Sequence, residues 1–327
     1  MAAYDLLRCP RCVGQLALVN DELSCVDCTA AYPITAEIPR LLSTPADEFA
    51  KRTQASFGYE WSAFSDWRQS GETNFQQYFG DVDLSWFVGR TVLDAGCGMG
   101  RHARQIARYA DRVVAMDFSR AIEKAAANME GLPNVLCVQG DITRPPVADE
   151  AFDLVYSIGV LHHIADTEGA ARALLAKVKP EGRLRIYLYW KRTGLSAVVL
   201  RFVDAMRAVT TRLPFPLLKA CCWFLSVLLW VFIVLPYRRL SSWGMRRHQG
   251  WPLALYARYS FTILYNDQFD RFSAPIEQRW AEDDVRALMA RLGLRDVHVT
   301  PAFGWIAEGT KRSRAHEWRA ESEEVTV

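Results

Sequence analysis

The clearest pattern of apolar and polar positions lies between residues 91 and 190. Short runs rich in β-branched and aromatic residues alternate there with stretches whose apolar residues recur at helical spacing. The apolar runs are Val92-Leu93, Val113–Ala115, Val135–Val138, Leu154–Tyr156 and Leu184–Leu188. The helical stripes are Ile122, Ala125, Ala126 and Met129, followed by Ala171, Leu174, Leu175 and Val178. Strands alternating with one-sided helices bury both sheet faces only when helices cover a parallel sheet, so this pattern predicts a doubly wound α/β fold.

The same pattern resumes near the end of the chain. A helical stripe of Val285, Leu288, Met289 and Leu292 stops at Gly293. Two short strands follow, at about residues 296–300 and 304–308, with Pro301 in the turn between them. They predict a terminal hairpin that gives the otherwise parallel sheet an antiparallel edge.

These patterns divide the chain into six parts. We expect a cysteine-rich module over residues 1–45, a helical cap or linker over 46–90, the sheet core over 91–190, a helical insertion over 191–270, the returning helix and hairpin over 271–312, and a disordered tail over 313–327.

The insertion is both apolar and basic. From Arg183 to Gly250 there are twelve Lys or Arg residues and one acid, Asp204. One helical face collects Leu195, Val198, Val199, Phe202, Met206 and Val209. Residues 220–235 then carry no formal charge, and at helical rise they span about 24 Å, short of a bilayer core of about 30 Å. The basic flanks fit a single crossing poorly. Two interpretations stay open. Residues 217–237 dip into an anionic membrane surface, or they form a buried helical lid in contact with the rest of the domain.

The overall charge narrows the class of partner. A net charge of +2 argues against a strongly basic nucleic-acid binder. Met1 to Leu7 is too short for a signal peptide, so we expect a cytoplasmic protein, peripheral on the cytosolic face of the membrane if the insertion binds lipid. Because the insertion is apolar as well as basic, a small or lipid-like partner is favoured over nucleic acid.

Four cysteines predict a metal site. Cys9, Cys12, Cys25 and Cys28 form two C-x2-C pairs separated by twelve residues. Two tight turns that each offer two thiolates close a tetrahedral site, and zinc is the expected ion, with a redox pair or iron as the alternatives. Four thiolates leave no open coordination position, so the predicted zinc is structural.

A glycine-rich turn follows the first strand of the core. Its sequence is Asp94-Ala95-Gly96-Cys97-Gly98-Met99-Gly100. This turn lacks the last glycine of a dinucleotide-binding turn, because Arg101 stands at that position. Asp94 would disfavour a pyrophosphate and favour an ammonium group. Asp117 ends the second strand 23 residues later, where it can grip ribose hydroxyls, and Gly140-Asp141-Ile142 ends the third, where an acid can reach an adenine amino group.

In these motifs, together with Phe152–Val155 and Leu161-His162-His163-Ile164, the chain resembles the class I S-adenosylmethionine (SAM) dependent methyltransferases, in particular the quinone-methylase-like, type 11 group. The resemblance covers about residues 90–190 and 280–310 and implies a seven-stranded sheet. It also implies that Asp94, Ala95, Gly96 and Gly98 hold the methionine portion, Asp117 the ribose, Phe118 an adenine face, and Asp141 with Ile142 the base edge. Ser157 would lie near the methyl group.

The flanks of the cysteine pairs resemble another family. Tyr32–Ile34 and Ile38–Leu42 are similar to the small zinc-ribbon activators that partner tRNA, rRNA and release-factor methyltransferases. This resemblance leaves an RNA methyltransferase as an alternative, with the ribbon as its docking module. A non-catalytic scaffold with a methyltransferase-like fold is the third possibility.

Methyl transfer from a sulfonium mainly requires alignment of the acceptor and exclusion of water. If the acceptor is a hydroxyl or an amine, His162 and His163 are the candidate bases. The competing interpretation is that one or both histidines cap and pack the loop after the fourth core strand.

Overall fold

The computed structural model describes residues 4–42, 48–63, 71–242 and 253–313. The chain splits into two compact units. The first, here called the sheet unit, comprises Met1–Asp47, Trp67–Arg192 and Ile276–Val327; the second, the helical unit, comprises Glu48–Asp66 and Thr193–Pro275. The predicted tail lies outside the described residues from position 314 onward.

The described part of the sheet unit contains eleven strands. They are β1 (Leu16–Val19), β2 (Glu22–Cys25), β3 (Ala31–Thr35), β4 (Ile38–Leu41), β5 (Thr91–Ala95), β6 (Arg112–Asp117), β7 (Val135–Gly140), β8 (Phe152–Ile158), β9 (Val178–Leu188), β10 (Arg295–Pro301) and β11 (Trp305–Thr310). Their order is β1-β2-β3-β4-β7-β6-β5-β8-β9-β11-β10. Strands β7, β6, β5, β8 and β9 are parallel, and β11 runs antiparallel to both β9 and β10. The predicted doubly wound fold with an antiparallel edge is confirmed: the seven strands β7-β6-β5-β8-β9-β11-β10 form the predicted core, and β1–β4 extend it to eleven strands.

Alternation along the strands buries both faces of this sheet. Leu93 and Val114 point into one core, and Val92 and Val113 into the other. The α-helices of the described sheet unit are α2 (Gly71–Phe79), α3 (Arg101–Ile106), α4 (Ala121–Asn128), α5 (Thr167–Lys177) and α10 (Glu282–Arg291). The predicted helical stripes supply the cover, since the side chains of Ile122, Leu174 and Leu288 are fully buried. Because β5, β6 and β7 are parallel neighbours in this covered sheet, their carboxyl ends lie side by side along one edge.

The cysteine-rich module is continuous with the sheet. Its hairpins turn at Asn20-Asp21 and Ala36-Glu37, and all four residues have positive φ, as two-residue hairpin turns require. Strand β4 then pairs in parallel with β7, placing Leu41 opposite Gly140. The sequence divides residues 1–45 from the core, whereas the structure places them in the same compact unit.

Further contacts attach the start of the chain to the loop after β7. Leu7 bridges Val147, and the Arg8 amide donates to the Pro146 carbonyl at 2.9 Å. The Ala148 amide donates to the Leu6 carbonyl at 2.8 Å, and Asp5 pairs with Arg112. The module is therefore held by backbone hydrogen bonds as well as by side chains.

The helical unit is built around one central helix. Its helices are α1 (Glu48–Ala63), α6 (Leu195–Thr210), α7 (Phe215–Leu229), α8 (Leu235–Ser242) and α9 (Phe261–Ser273), with a π-helical segment (Trp230–Val234) joining α7 to α8. Helix α9 packs against α1, α6 and α7. Leu218, Cys222 and Phe269 are buried in this contact, and the Ser56 hydroxyl donates to Ser273 at 2.7 Å.

One helical stretch of the described residues could cross a membrane by length and composition. Phe215–Ser241 spans 27 residues, and its most apolar window has a mean hydropathy of 2.3. A core helix of a soluble protein passes the same test, so this stretch alone is weak support for a crossing.

Replacement of Leu7 by Ala tests whether the cysteine-rich module and the sheet share a core. Leu7 is fully buried in the cluster that contains Leu93, so Leu7→Ala is expected to lower the free energy of unfolding by about 2–5 kcal/mol. Leu18 in β1 is exposed, and Leu18→Ala should change it by about 0.5 kcal/mol or less. Urea unfolding followed by circular dichroism measures both. Equal effects of the two substitutions would contradict the shared core.

Candidate functional site

The turn after β5 brings the ends of two strands together. The amides of Gly96 and Cys97 donate to the Met116 carbonyl at 2.8 and 2.9 Å. Gly96 has φ 89°, and a Cβ there would lie 2.3 Å from Cγ2 of Val160. Gly100 has φ 81° just before α3 begins. The backbone conformation at both positions, and the close approach of Val160 at Gly96, explain why this turn needs glycine.

Asp94 lies beside this turn with its carboxylate buried. The residue is 2% exposed, and among the residues that the structure describes Oδ2 has no hydrogen-bond partner. Burial raises the pKa of Asp94 to about 7; the charge of Asp117 adds to the rise, while the Tyr156 hydroxyl and the Ala103 amide oppose it. A buried carboxyl group with an unpaired oxygen is suited to a ligand that brings a positive charge or N–H donors.

Asp117 connects the end of β6 to the glycine turn. Its Oδ2 accepts a hydrogen bond from the Gly98 amide at 2.8 Å. Its Oδ1 accepts from the amide and the hydroxyl of Ser119 at 2.8 and 2.7 Å. Burial raises the pKa of Asp117, and these hydrogen bonds oppose the rise. The structure thus brings Asp94, Gly96, Gly98 and Asp117 together at one crevice.

The remaining predicted base-binding residues follow β6 and β7. Asp141 comes directly after β7, and its Oδ1 accepts from the Thr143 amide and hydroxyl at 2.8 Å each. Ile142 is buried beside it, and the Phe118 carbonyl accepts from Gln139 Nε2 at 3.0 Å. Because β5, β6 and β7 are parallel neighbours, the three acids stand at the carboxyl ends of adjacent strands.

Ser157 and the two histidines lie on and after β8. Ser157 is fully buried, and its hydroxyl has no hydrogen-bond partner within the described ranges. The His162 ring is also fully buried and stacks on Tyr189 with centroids 3.8 Å apart. Nδ1 of the buried His163 lies 2.6 Å from the Ile276 carbonyl oxygen. These contacts are typical of histidines that pack and orient a loop, whereas a general base must also reach its acceptor.

A contiguous aromatic cluster extends from Asp94 along the same part of the sheet. Phe79 lies 5.1 Å from Tyr156 between ring centroids, and Tyr78 lies 5.0 Å from Tyr187. The members of this aromatic cluster are Phe75, Tyr78, Phe79, His102, Tyr156, His162, His163, Tyr187 and Tyr189. Except for the two adjacent histidines, sequence reasoning missed this set because its members come from distant segments. The one available signal was the i, i+2 spacing of Tyr187 and Tyr189.

The four predicted metal ligands do meet. The sulfur atoms of Cys9, Cys12, Cys25 and Cys28 all lie within 4.8 Å of one another. Cys12 and Cys25 are 3.4 Å apart and Cys9 and Cys28 3.8 Å apart, measured between Sγ atoms. The Cys9 sulfur also lies 3.2 Å from the Tyr32 hydroxyl. Four convergent sulfurs form a cluster that could hold a metal ion.

Comparison with known proteins shows what the sheet core is similar to. Residues 93–186 match the family model described as a methyltransferase domain. The matched segment begins within β5 and ends within β9, so it contains the glycine turn and all three strand-end acids.

The curated relatives match only part of the chain. A sterol 24-C-methyltransferase of Aspergillus fumigatus is 38% identical over 104 residues, which cover 30% of this chain and 28% of the relative. The methyltransferase GfsG of Streptomyces halstedii is 28% identical over 148 residues, covering 44% and 52%. The chain thus spans about half or less of the length of these curated relatives. Human N-acetylserotonin methyltransferase in complex with SAM has a TM-score of 0.49 at 16% identity, covering 83% of this chain and 61% of that structure.

The raised pKa of Asp94 predicts a pH dependence of stability in the ligand-free protein. The folded chain holds the carboxyl proton up to about pH 7, whereas the unfolded chain releases it near the ordinary value of 3.8. Folding therefore binds a proton between these values, and the free energy of unfolding falls as the pH rises through this window, by an amount on the order of a few kcal/mol.

Asp94→Asn isolates this contribution, since the amide does not titrate. The stability difference between wild type and variant, measured by urea unfolding at several pH values, should change between about pH 4 and pH 7 and be constant above that. The exposed acid Asp111, changed to Asn, serves as the control. A difference between wild type and Asp94→Asn that stays constant across this window would contradict the assignment.

Proposed function

We propose that the protein binds SAM and transfers its methyl group to a small, apolar or lipid-linked acceptor. The observation that carries this proposal is the buried carboxylate of Asp94, with its unpaired oxygen, beside a glycine turn that Asp117 holds in place. This arrangement lies within the segment that matches the methyltransferase domain family.

The residues of the crevice fit SAM in charge as well as in position. A cation bound near Asp94 would favour the ionised carboxylate, which burial disfavours. The positively charged part of the methionine portion would therefore bind beside Asp94. Ala95, Gly96 and Gly98 would present backbone to the same portion. Asp117 would hold the ribose, Phe118 an adenine face, and Asp141 with Ile142 the base edge. Ser157 would lie near the reacting end.

Bound SAM would supply an electrophilic methyl group on a sulfonium. The chain's own contribution is then to align the acceptor and keep water out. The aromatic cluster suits both tasks: its buried rings, from Tyr156 next to Asp94, would exclude water, and its partly exposed rings, Tyr78 and Tyr189, could contact an acceptor. In this proposal His162 and His163 hold the cluster and its loop in place, and neither is required as a base.

The aromatic cluster also favours an apolar acceptor over a charged one. Aromatic rings bury large areas with few polar atoms, which suits a planar or aliphatic acceptor. The sterol methyltransferase among the relatives is named for an acceptor of this chemical kind. An RNA acceptor is the alternative, and it predicts that RNA binding weakens steeply with added salt.

We further propose that Cys9, Cys12, Cys25 and Cys28 hold a structural zinc ion. The donor set supports this, because four sulfurs from two tight turns match the tetrahedral preference of zinc. The Tyr32 hydroxyl beside Cys9 would serve as a neighbouring hydrogen-bond donor to a thiolate. With all four positions taken by the protein, the ion would stabilise the module and take no part in methyl transfer.

Calorimetric titration with SAM tests the proposed ligand. Wild type should bind, with affinity rising up to about tenfold per pH unit below pH 7, because the bound cation requires Asp94 to lose its proton. Asp94→Asn should bind more weakly and lose this pH dependence, and Gly98→Arg should not bind because the arginine fills the crevice. Asp111→Asn is the matched control and should behave as wild type. Absence of heat with wild type at every pH would leave only the scaffold interpretation.

The zinc proposal is tested by metal analysis of purified protein. Wild type should contain about one equivalent of zinc, and Cys12→Ser should lose most of it. Cys221 is exposed on α7 and belongs to no such cluster in the described residues, so Cys221→Ser should keep its zinc. Retention of zinc by Cys12→Ser, or iron in wild type, would contradict the proposal.

A further inference from the structure

The helical unit exposes a long apolar face along α7 and the helix that continues it. Leu217, Phe224, Leu228 and Phe232 recur at spacings of seven, four and four residues, which places them on one side of the helix. All four are exposed, Phe224 by 65% and Phe232 by 70%. Soluble proteins seldom leave a contiguous apolar patch of this kind uncovered, so such a face indicates a binding surface.

Helix α6 repeats the feature independently. Phe202, Met206 and Val209 lie at i, i+4 and i+7, and all three are exposed, Phe202 by 67%. The sequence predicts this apolar face, and the structure leaves the described part of it open to solvent. We call the exposed faces of α6 and of α7–α8 the apolar faces of the helical unit.

The opposite side of α7 is fixed to protein. Leu218, Cys222 and Ser226 are buried there. The Cys222 sulfur lies 3.7 Å from the Gln268 carbonyl oxygen, and the Tyr265 hydroxyl donates to the Lys219 carbonyl at 3.0 Å. Both partners belong to α9, which also carries Asn266, Asp267, Asp270 and Arg271. A crossing by α7 would carry these polar groups of α9 into the hydrocarbon, whereas an orientation in the membrane plane would not.

The charge of the same helices indicates which kind of partner the apolar faces bind. Residues 195–242 contain six Arg or Lys residues and one acid, and Arg201, Arg212 and Arg239 are exposed. A second copy of this chain would bring the same positive charge to the contact and repel it. A layer of anionic lipid headgroups is attracted instead, and it accepts apolar side chains beneath the headgroups.

We propose that the apolar faces of the helical unit bind the surface of an anionic membrane, with α7–α8 lying in the membrane plane. Phe224 and Phe232 enter the acyl boundary, and the exposed arginines contact headgroup phosphates. This inference does not depend on the proposed methyltransferase activity, because its test contains neither SAM nor an acceptor.

Flotation with lipid vesicles tests the proposal on the full-length protein. Wild type should float with vesicles made of equal parts phosphatidylcholine and phosphatidylglycerol, and much less with phosphatidylcholine alone. The double variant Phe224→Glu/Phe232→Glu should lose about tenfold or more of its partition into anionic vesicles. Because both side chains are exposed, the variant should fold as wild type does, which circular dichroism checks. Val88→Glu is the matched control, since Val88 is an exposed apolar residue of the sheet unit and its replacement should leave flotation unchanged.

Two further measurements separate lipid from the other possible partners. Arg201→Glu/Arg212→Glu should weaken flotation with anionic vesicles, and added salt should do the same. Sedimentation without lipid should give the same mass for wild type and for the phenylalanine double variant. A wild-type dimer that this variant dissociates would assign the faces to contact between copies and overturn the proposal. Equal flotation of wild type and the phenylalanine variant, or of wild type with both vesicle types, would also overturn it.

Discussion

The Asp94 carboxylate lies near the end of β5, the middle one of the five neighbouring parallel strands β7, β6, β5, β8 and β9, and burial there disfavours its charge. The surrounding arrangement follows from this constraint. Gly96 and Gly100 supply the left-handed backbone of the next turn, and Asp117 fastens that turn through the Gly98 amide. A second acid so near raises the cost of ionising the first. Ionisation of Asp94 is therefore costly until a positively charged ligand binds beside it. This cost is the physical basis of the proposed preference for a sulfonium donor.

The sequence predicts the sheet and the placement of the three strand-end acids, because both depend on local rules. Alternating apolar runs specify parallel strands, and an acid or glycine directly after a strand must lie at the carboxyl edge. The cysteine pairs carry their own geometry in their spacing, and the four sulfurs do converge. By contrast, the aromatic cluster joins α2, α3, β8 and β9, whose contacts depend on packing between distant segments.

The insertion shows the same difference between local and long-range features. The sequence predicts its helices and the apolar face of α6 from periodicity, but periodicity does not show which apolar face is covered by other residues. The structure separates the two sides of α7: Leu218 and Cys222 are buried with α9, while Phe224 and Phe232 remain exposed. A hydropathy value averaged along the helix counts the buried and the exposed apolar residues together. It therefore suggests a membrane-crossing segment, although one side of the helix already packs against α9.

The parallel pairing of β4 with β7 has a consequence for biosynthesis. Arg40 precedes its partner Gln139 by 99 residues, so β4 leaves the ribosome well before the strand it will join. At about 5–20 residues per second the delay is roughly 5–20 s. During that interval the cysteine-rich module has only its own hairpins and, in our proposal, a bound zinc ion to stabilise it, and β4 can pair with β7 only after the first half of the core has been synthesised.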